Sequence, residues 1–124
     1  MSIYKVRWFN RWARKQGLSD AALCEAVKEM VAGQYEADLG GNLLKKRIAR
    51  PGQGKSGGFR TIVATSHDGR WFFVYGFAKN ERSNIDDEEE AALKKLAKTL
   101  LTMAPAALGN AEKAGEVTKV NCDA

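Results

Sequence analysis

Most active sites are assembled from residues in which this sequence is poor. It holds one histidine, His67, two cysteines and two prolines. His67 stands beside Asp68 in a segment that reads as a tight turn, and no Ser/His/Asp or Cys/His set forms around it. No group of His, Cys, Asp or Glu has metal-ligand spacing, so no metal or cofactor is expected. Cys24 and Cys122 lie far apart, without the density of a disulfide-stapled secreted scaffold, and are expected to be reduced thiols. No apolar run approaches the ~18 residues of a membrane span, and the N-terminus has no signal-peptide pattern. The expected compartment is the cytoplasm, with no membrane partner. With no repeat and no linker, residues 1–124 read as one domain with its core at about 3–104 and a C-terminal extension at 105–124.

What is plentiful is positive charge, in one place. Residues 43–82 carry 9 basic side chains against 2 acidic ones, whereas 1–42 carry 6 against 5 and 83–124 carry 5 against 8. Such a concentration favours a polyanionic partner, because contacts to phosphate supply the sequence-independent part of nucleic-acid binding.

Ile3 to Arg7 alternates as a short strand would. Phe9, Trp12 and Ala13 then fall on one helical stripe that ends at Gly17, so Trp8, Phe9 and Trp12 are expected in the core. Ser19 caps a second helix whose apolar face is Leu23, Ala26, Val27, Met30 and Val31, giving a helical hairpin. Tyr35 to Asn42 reads as a connection. Leu43 to Ala49 reads as a strand with Lys45, Lys46 and Arg47 in its middle. Side chains alternate, so at least one of these cations must emerge on the face opposite the others, and one face of the sheet is expected to be wet. Phe59 to Thr65 and Arg70 to Ala78 form an antiparallel hairpin around an Asp-Gly turn, and the run Trp71–Tyr75 is that of a central strand covered on both sides. Asp86 or Asp87 caps a helix with the stripe Leu93, Leu96, Ala97, Leu100, Leu101 and Ala104. Pro105 begins a last short helical piece that stops at Gly115, and Glu116 to Cys122 reads as a loose strand or tail.

After the strand at 43–49, and running into the one at 59–65, comes Gly52-Gln53-Gly54-Lys55-Ser56-Gly57-Gly58-Phe59-Arg60. Its glycines allow close approach of a ligand. A phosphate-cradling P-loop would require glycine at position 49, where alanine stands, and a helix after the loop, where a strand follows. A nucleotide cofactor is therefore not expected. With so little conventional machinery, an enzyme built from this chain must act mainly with cations that bind phosphate and offset charge in a pentavalent transition state. Cleavage of RNA fits that constraint, because its own 2′-OH is the nucleophile.

Three segments in order, Lys46-Arg47-Ile48, the Gly54-Lys55-Ser56-Gly57-Gly58-Phe59-Arg60 loop and the Gly76-Phe77-Ala78-Lys79-Asn80-Glu81-Arg82-Ser83 exit, resemble the RelE/ParE superfamily of type II toxin–antitoxin toxins, in its RelE-like, HigB-related group. The resemblance covers about residues 40–100. It implies an α+β fold in which an N-terminal helical hairpin packs on one side of a curved, mostly antiparallel sheet of 3–4 strands, plus a C-terminal helix. It implies a ribosome-dependent mRNA endoribonuclease that cleaves in the A site without metal, partnered by a cognate antitoxin. It assigns Arg60, Lys79 and Arg47 to catalysis, and Lys45, Lys46, Arg50, Lys55, Asn80 and Arg82 to RNA binding, with Lys46 or Lys79 as acid or base. Asn80 departs from the pattern, standing where RelE itself carries a further arginine, and no tyrosine follows it. Two other functions remain open: a ParE-like DNA gyrase poison that cuts nothing, and a non-toxic RNA-binding module.

Overall fold

A computed structural model of the protein describes residues 1–50, 52, 57–66 and 69–123. In chain order the elements are β1 (Ser2–Val6), α1 (Arg7–Gln16), α2 (Asp20–Val31), β2 (Ala37–Gly40), β3 (Leu43–Ile48), β4 (Phe59–Thr65), β5 (Arg70–Ala78), α3 (Asp87–Thr102), α4 (Pro105–Lys113) and β6 (Val117–Lys119). The strands form one sheet in the order β2-β3-β4-β5-β1-β6. Every pairing is antiparallel except that of β1 with β5, which is parallel.

The sheet is larger than expected, with six strands rather than 3–4, and it is mixed. Two strands come from segments without a clear strand signature. The connection before Asn42 contains β2, which folds back on β3 through Gly40, Gly41 and Asn42, all at positive φ. The C-terminal extension contains β6, which adds to the outer edge of β1 with Tyr4 opposite Lys119 and Val6 opposite Val117.

Helices cover both faces of the sheet rather than one. On one side α1 and α2 bring Phe9, Ala13, Leu23, Val27 and Met30 against Leu44, Val63, Trp71 and Phe73. On the other, α3 and α4 bring Ala97, Leu100, Leu108 and Ala111 against Leu43, Ile62, Phe72 and Val74. Alternate residues of β5 supply both cores, which is why Trp71, Phe72 and Phe73 stand in an unbroken apolar run. Each such side chain contributes about 1.5–3 kcal/mol by its burial.

Local chemistry sets the helix ends. Gly17 closes α1 at φ 70°, and the Ser19 hydroxyl accepts from Ala22 N–H at the start of α2. Asp86 and Glu89 form a reciprocal capping box on α3. At its other end Arg70 donates to the carbonyl of Met103 at 2.6 Å, and Pro105 opens α4. Part of the basic middle third is therefore spent on folding.

The register of β1 with β5 is given by Ser2 opposite Arg70 through Lys5 opposite Phe73, so the last residues of β5 extend past β1. Aromatic residues of α1 occupy that place. Trp12 lies against Gly76 so closely that a Cβ there would stand 2.4 Å from Trp12 Cζ3, and Trp8 stacks on Tyr75. Of the three aromatics expected in the core, Phe9 is fully buried, Trp12 is half-buried and Trp8 is on the surface.

The cysteines are not free thiols. Cys24 on α2 and Cys122 beyond β6 are joined in a disulfide. Pairing of β6 with β1 carries the chain end back over the N-terminal helices, where Asn121 N–H donates to Asp20 at 2.9 Å. Separation in sequence concealed a proximity that only the outer strand creates.

Candidate functional site

Cross-strand register assembles the site. Arg47 of β3 is directly opposite Arg60 of β4, and Arg60 is opposite Phe77 of β5. Lys45 lies opposite Ile62, so Lys45, Arg47, Arg60 and Phe77 share the face that carries α3. Lys46 goes to the other face, as alternation demands. The expected wet face is narrower than a whole side of the sheet: α3 and α4 cover most of it, and this cationic end is what remains.

A carboxylate with no counterpart among the sequence candidates sits in the middle. Glu36, just before β2, pairs through Oε2 with Arg47 and, at 3.2 Å, with Arg60 Nε, and through Oε1 with Lys45 Nζ at 3.1 Å. Burial on its own pushes the Glu36 carboxyl up. The hydrogen bond from Arg47 and the nearby positive charges of Lys45 and Arg60 outweigh that and hold it below its ordinary value. Glu36 is therefore ionised at neutral pH. The Lys45 contact lacks hydrogen-bond geometry, so the buried Oε1 accepts no directed hydrogen bond among the described residues.

The two arginines differ in access. The Arg60 side chain is 4% exposed and also donates to the Phe59 carbonyl at 3.5 Å; that of Arg47 is 48% exposed. One is fixed in the wall and the other faces solvent, beside a hollow of about 410 Å3 lined by Gln34, Tyr35, Glu36, Lys46 and Arg47. Three cations around one carboxylate leave a net positive pocket, complementary to a phosphate. Among the described residues, no three His, Cys, Asp or Glu side chains gather to hold a metal.

The exit from β5 closes one flank. Arg82 lies over the Phe77 ring at 5.6 Å, donates to Tyr75 Oη at 3.2 Å, and grips Glu89 through two nitrogens at 3.0 and 2.5 Å. Asn84 accepts from Lys45 at 3.1 Å. The Arg82 hydrogen bond, followed by that from Asp86 N–H, brings the Glu89 carboxyl down from 4.5 to about 2. A depressed carboxylate stabilises the fold above its unfolded pKa, and that stabilisation is lost as pH falls towards the folded value. Urea unfolding followed from pH 6 to pH 2 should therefore show stability falling between about 4.5 and 2. Glu89→Gln should remove part of that slope; an unchanged slope counts against the pairing.

The remaining sequence candidates scatter. Lys46 is bonded to Glu29 of α2 at 2.7 Å and to the Gln34 carbonyl at 3.0 Å, with little exposure. It ties the helical hairpin to the sheet. Arg50 stacks over Phe59 at 5.0 Å. Lys79 and Asn80 are exposed at the end of β5, where the Lys79 amide donates to Gly58. Lys55 and His67 lie outside the described residues. Glu36 was legible only through the hairpin: folding residues 37–40 back on 43–48 at the Gly-Gly-Asn turn brings it beside Lys45 and Arg47.

No curated protein and no solved structure gives a significant match to the chain. A family model described as "RelE toxin of RelE / RelB toxin-antitoxin system" matches residues 1–120, from β1 through β6, and thus takes in all of the cationic cluster. The protein belongs to the RelE family of type II toxin–antitoxin toxins.

Proposed function

We propose that this toxin acts in the cytoplasm as a ribosome-dependent mRNA endoribonuclease, held in check by a cognate antitoxin. The observation that carries the reading is the facing pair Arg47 and Arg60 with Glu36 between them. Two guanidinium groups can hold the non-bridging oxygens of one phosphate by charge-assisted hydrogen bonds. The 2′-oxygen of the preceding ribose attacks phosphorus, the bond to the 5′-oxygen breaks, and the products are a 2′,3′-cyclic phosphate and a 5′-hydroxyl.

Glu36 is the proton acceptor in this scheme, and Lys45 donates to the leaving 5′-oxygen. A phosphate that draws the exposed Arg47 away from Glu36 removes the hydrogen bond that most depresses its carboxyl, while burial remains. The carboxylate thus becomes a stronger base when substrate is in place. Lys45, 3.1 Å away, can be reprotonated from Glu36 after the cut. Lys79, Asn80, Arg50 and Lys55 serve the flanking backbone, and Arg82 braces the flank.

Expression of the toxin followed by mapping of mRNA 5′ ends tests the proposal. Codon-phased cuts in translated messages are expected, and Glu36→Gln should abolish them. Intact messages accompanied by an SOS response would identify a gyrase poison and overturn the reading.

A further inference from the structure

Trp8 is out of place for a structural residue. It is 46% exposed, whereas Trp71 is buried and Trp12 is wedged over Gly76. Its ring is nevertheless held firmly. It stacks on Tyr75 with centroids 4.6 Å apart and planes 21° from parallel, and lies nearly parallel to Trp12 at 6.1 Å. Tyr75 is fixed in turn by Arg82, and Arg82 by Glu89. Tyr75 and Phe77 are ring neighbours at 6.4 Å, and Phe77 is directly opposite Arg60. A continuous aromatic strip therefore runs from the cationic cluster to an exposed indole. Beside the indole lies a mostly apolar cavity of about 350 Å3, whose lining includes Val6, Trp8, Leu96, Met103 and Val117.

We propose that Trp8 and this cavity form a stacking site for a nucleobase of the strand whose scissile phosphate is held by Arg47 and Arg60. The proposal rests on the ribonuclease reading above and extends it to the bases. An RNA strand needs both surfaces at once: cations for its backbone and flat apolar surfaces for unstacked bases. The strip supplies the second within reach of the first. Stacking tolerates any base, so the site would add affinity and fix the strand's direction without dictating sequence. Because Tyr75 and Arg82 orient the ring beforehand, little conformational freedom is lost when a base arrives.

The test uses hexaribonucleotides carrying 2′-O-methyl groups, which cannot be cut, and the same oligomers made abasic at one position at a time. Binding is read by fluorescence anisotropy over a range of salt concentrations. Trp8→Ala should weaken the intact oligomer roughly 5- to 100-fold, as expected for loss of one stacked base, with the salt dependence unchanged. Trp8→Phe should retain most of the affinity. One abasic position should weaken wild-type binding as much as Trp8→Ala does, and should make that substitution silent. Arg47→Ala should instead reduce the slope of log affinity against log salt by about 1. Unchanged affinity in Trp8→Ala, with Arg47→Ala still weakened, overturns the stacking site and leaves the ribonuclease reading standing. Equal binding of intact and all abasic oligomers by the wild type overturns it as well. Dependence on Trp8 without dependence on Arg47 refutes the placement of the phosphate instead.

Discussion

Arg60→Ala should lower the rate of message cleavage on ribosomes by about 10²- to 10³-fold, the range found when one preorganised donor to a developing charge is removed. The expectation follows from how Arg60 is held. Its side chain is buried, its Nε is paired with Glu36 at 3.2 Å, and it stands between Arg47 and Phe77 in the register of the sheet. Such a guanidinium needs no reorganisation when charge builds on the phosphate. Arg47, half exposed, can be replaced in part by water and solvent cations, so its loss should cost less. The fold should survive Arg60→Ala, because Glu36 keeps Lys45 and Arg47 as partners and is not left as an uncompensated charge. Arg60→Lys separates charge from geometry: it keeps the cation and loses the planar fork, and should fall between the wild type and alanine. Single-turnover cleavage with toxin in excess measures the chemical step, and a urea midpoint reports on folding. A well-folded Arg60→Ala protein that cleaves at the wild-type rate would falsify the assignment.

The strands that carry the site were the legible part of the sequence. Trp71–Tyr75 is unbroken because both cores draw on β5, which pairs antiparallel with β4 as the hairpin reading requires. Alternation along Lys45-Lys46-Arg47 required that one cation leave its neighbours, although not that Lys46 would be claimed by Glu29. Pairings between distant segments left no local trace. Nothing in Ile3–Arg7 indicates a parallel partner at Arg70–Phe73, and nothing in Glu116–Cys122 indicates that it will edge β1. The helices were harder to place than to find, since one apolar stripe suits either face of a sheet. Glu36 was hidden by its isolation. A single acid ahead of a short edge strand looks like surface until the hairpin brings it to three cations.

Loss of the Cys24–Cys122 bond should be the largest change in stability available from two substitutions. The bond joins residues 98 apart. In the chain-entropy account, closing a loop of that length restricts the unfolded ensemble by about 4–5 kcal/mol, with strain and residual structure reducing the measured figure. For a chain of this size that is a fall in melting temperature of roughly 10–20 °C. The native state should change little, because the tail keeps other anchors: Val120 N–H donates to Ile3 at 2.8 Å and Asn121 N–H to Asp20 at 2.9 Å. Because those contacts belong only to the folded form, they do not replace the cross-link in the unfolded chain. Calorimetry with and without a thiol reductant, on the wild type and on Cys24→Ser/Cys122→Ser, distinguishes the two contributions. Reduction should lower the wild-type transition to that of the double variant and leave the variant unmoved, while the RNA-cleaving activity of both folded forms stays equal, since neither cysteine lines the hollow beside Arg47 or pairs with Glu36. The proposed site of action keeps thiols reduced, so a toxin working there lacks this stabilisation and gains it only on oxidation. An unchanged transition on reduction would show that the unfolded chain is already restricted at its ends and would refute the entropic argument.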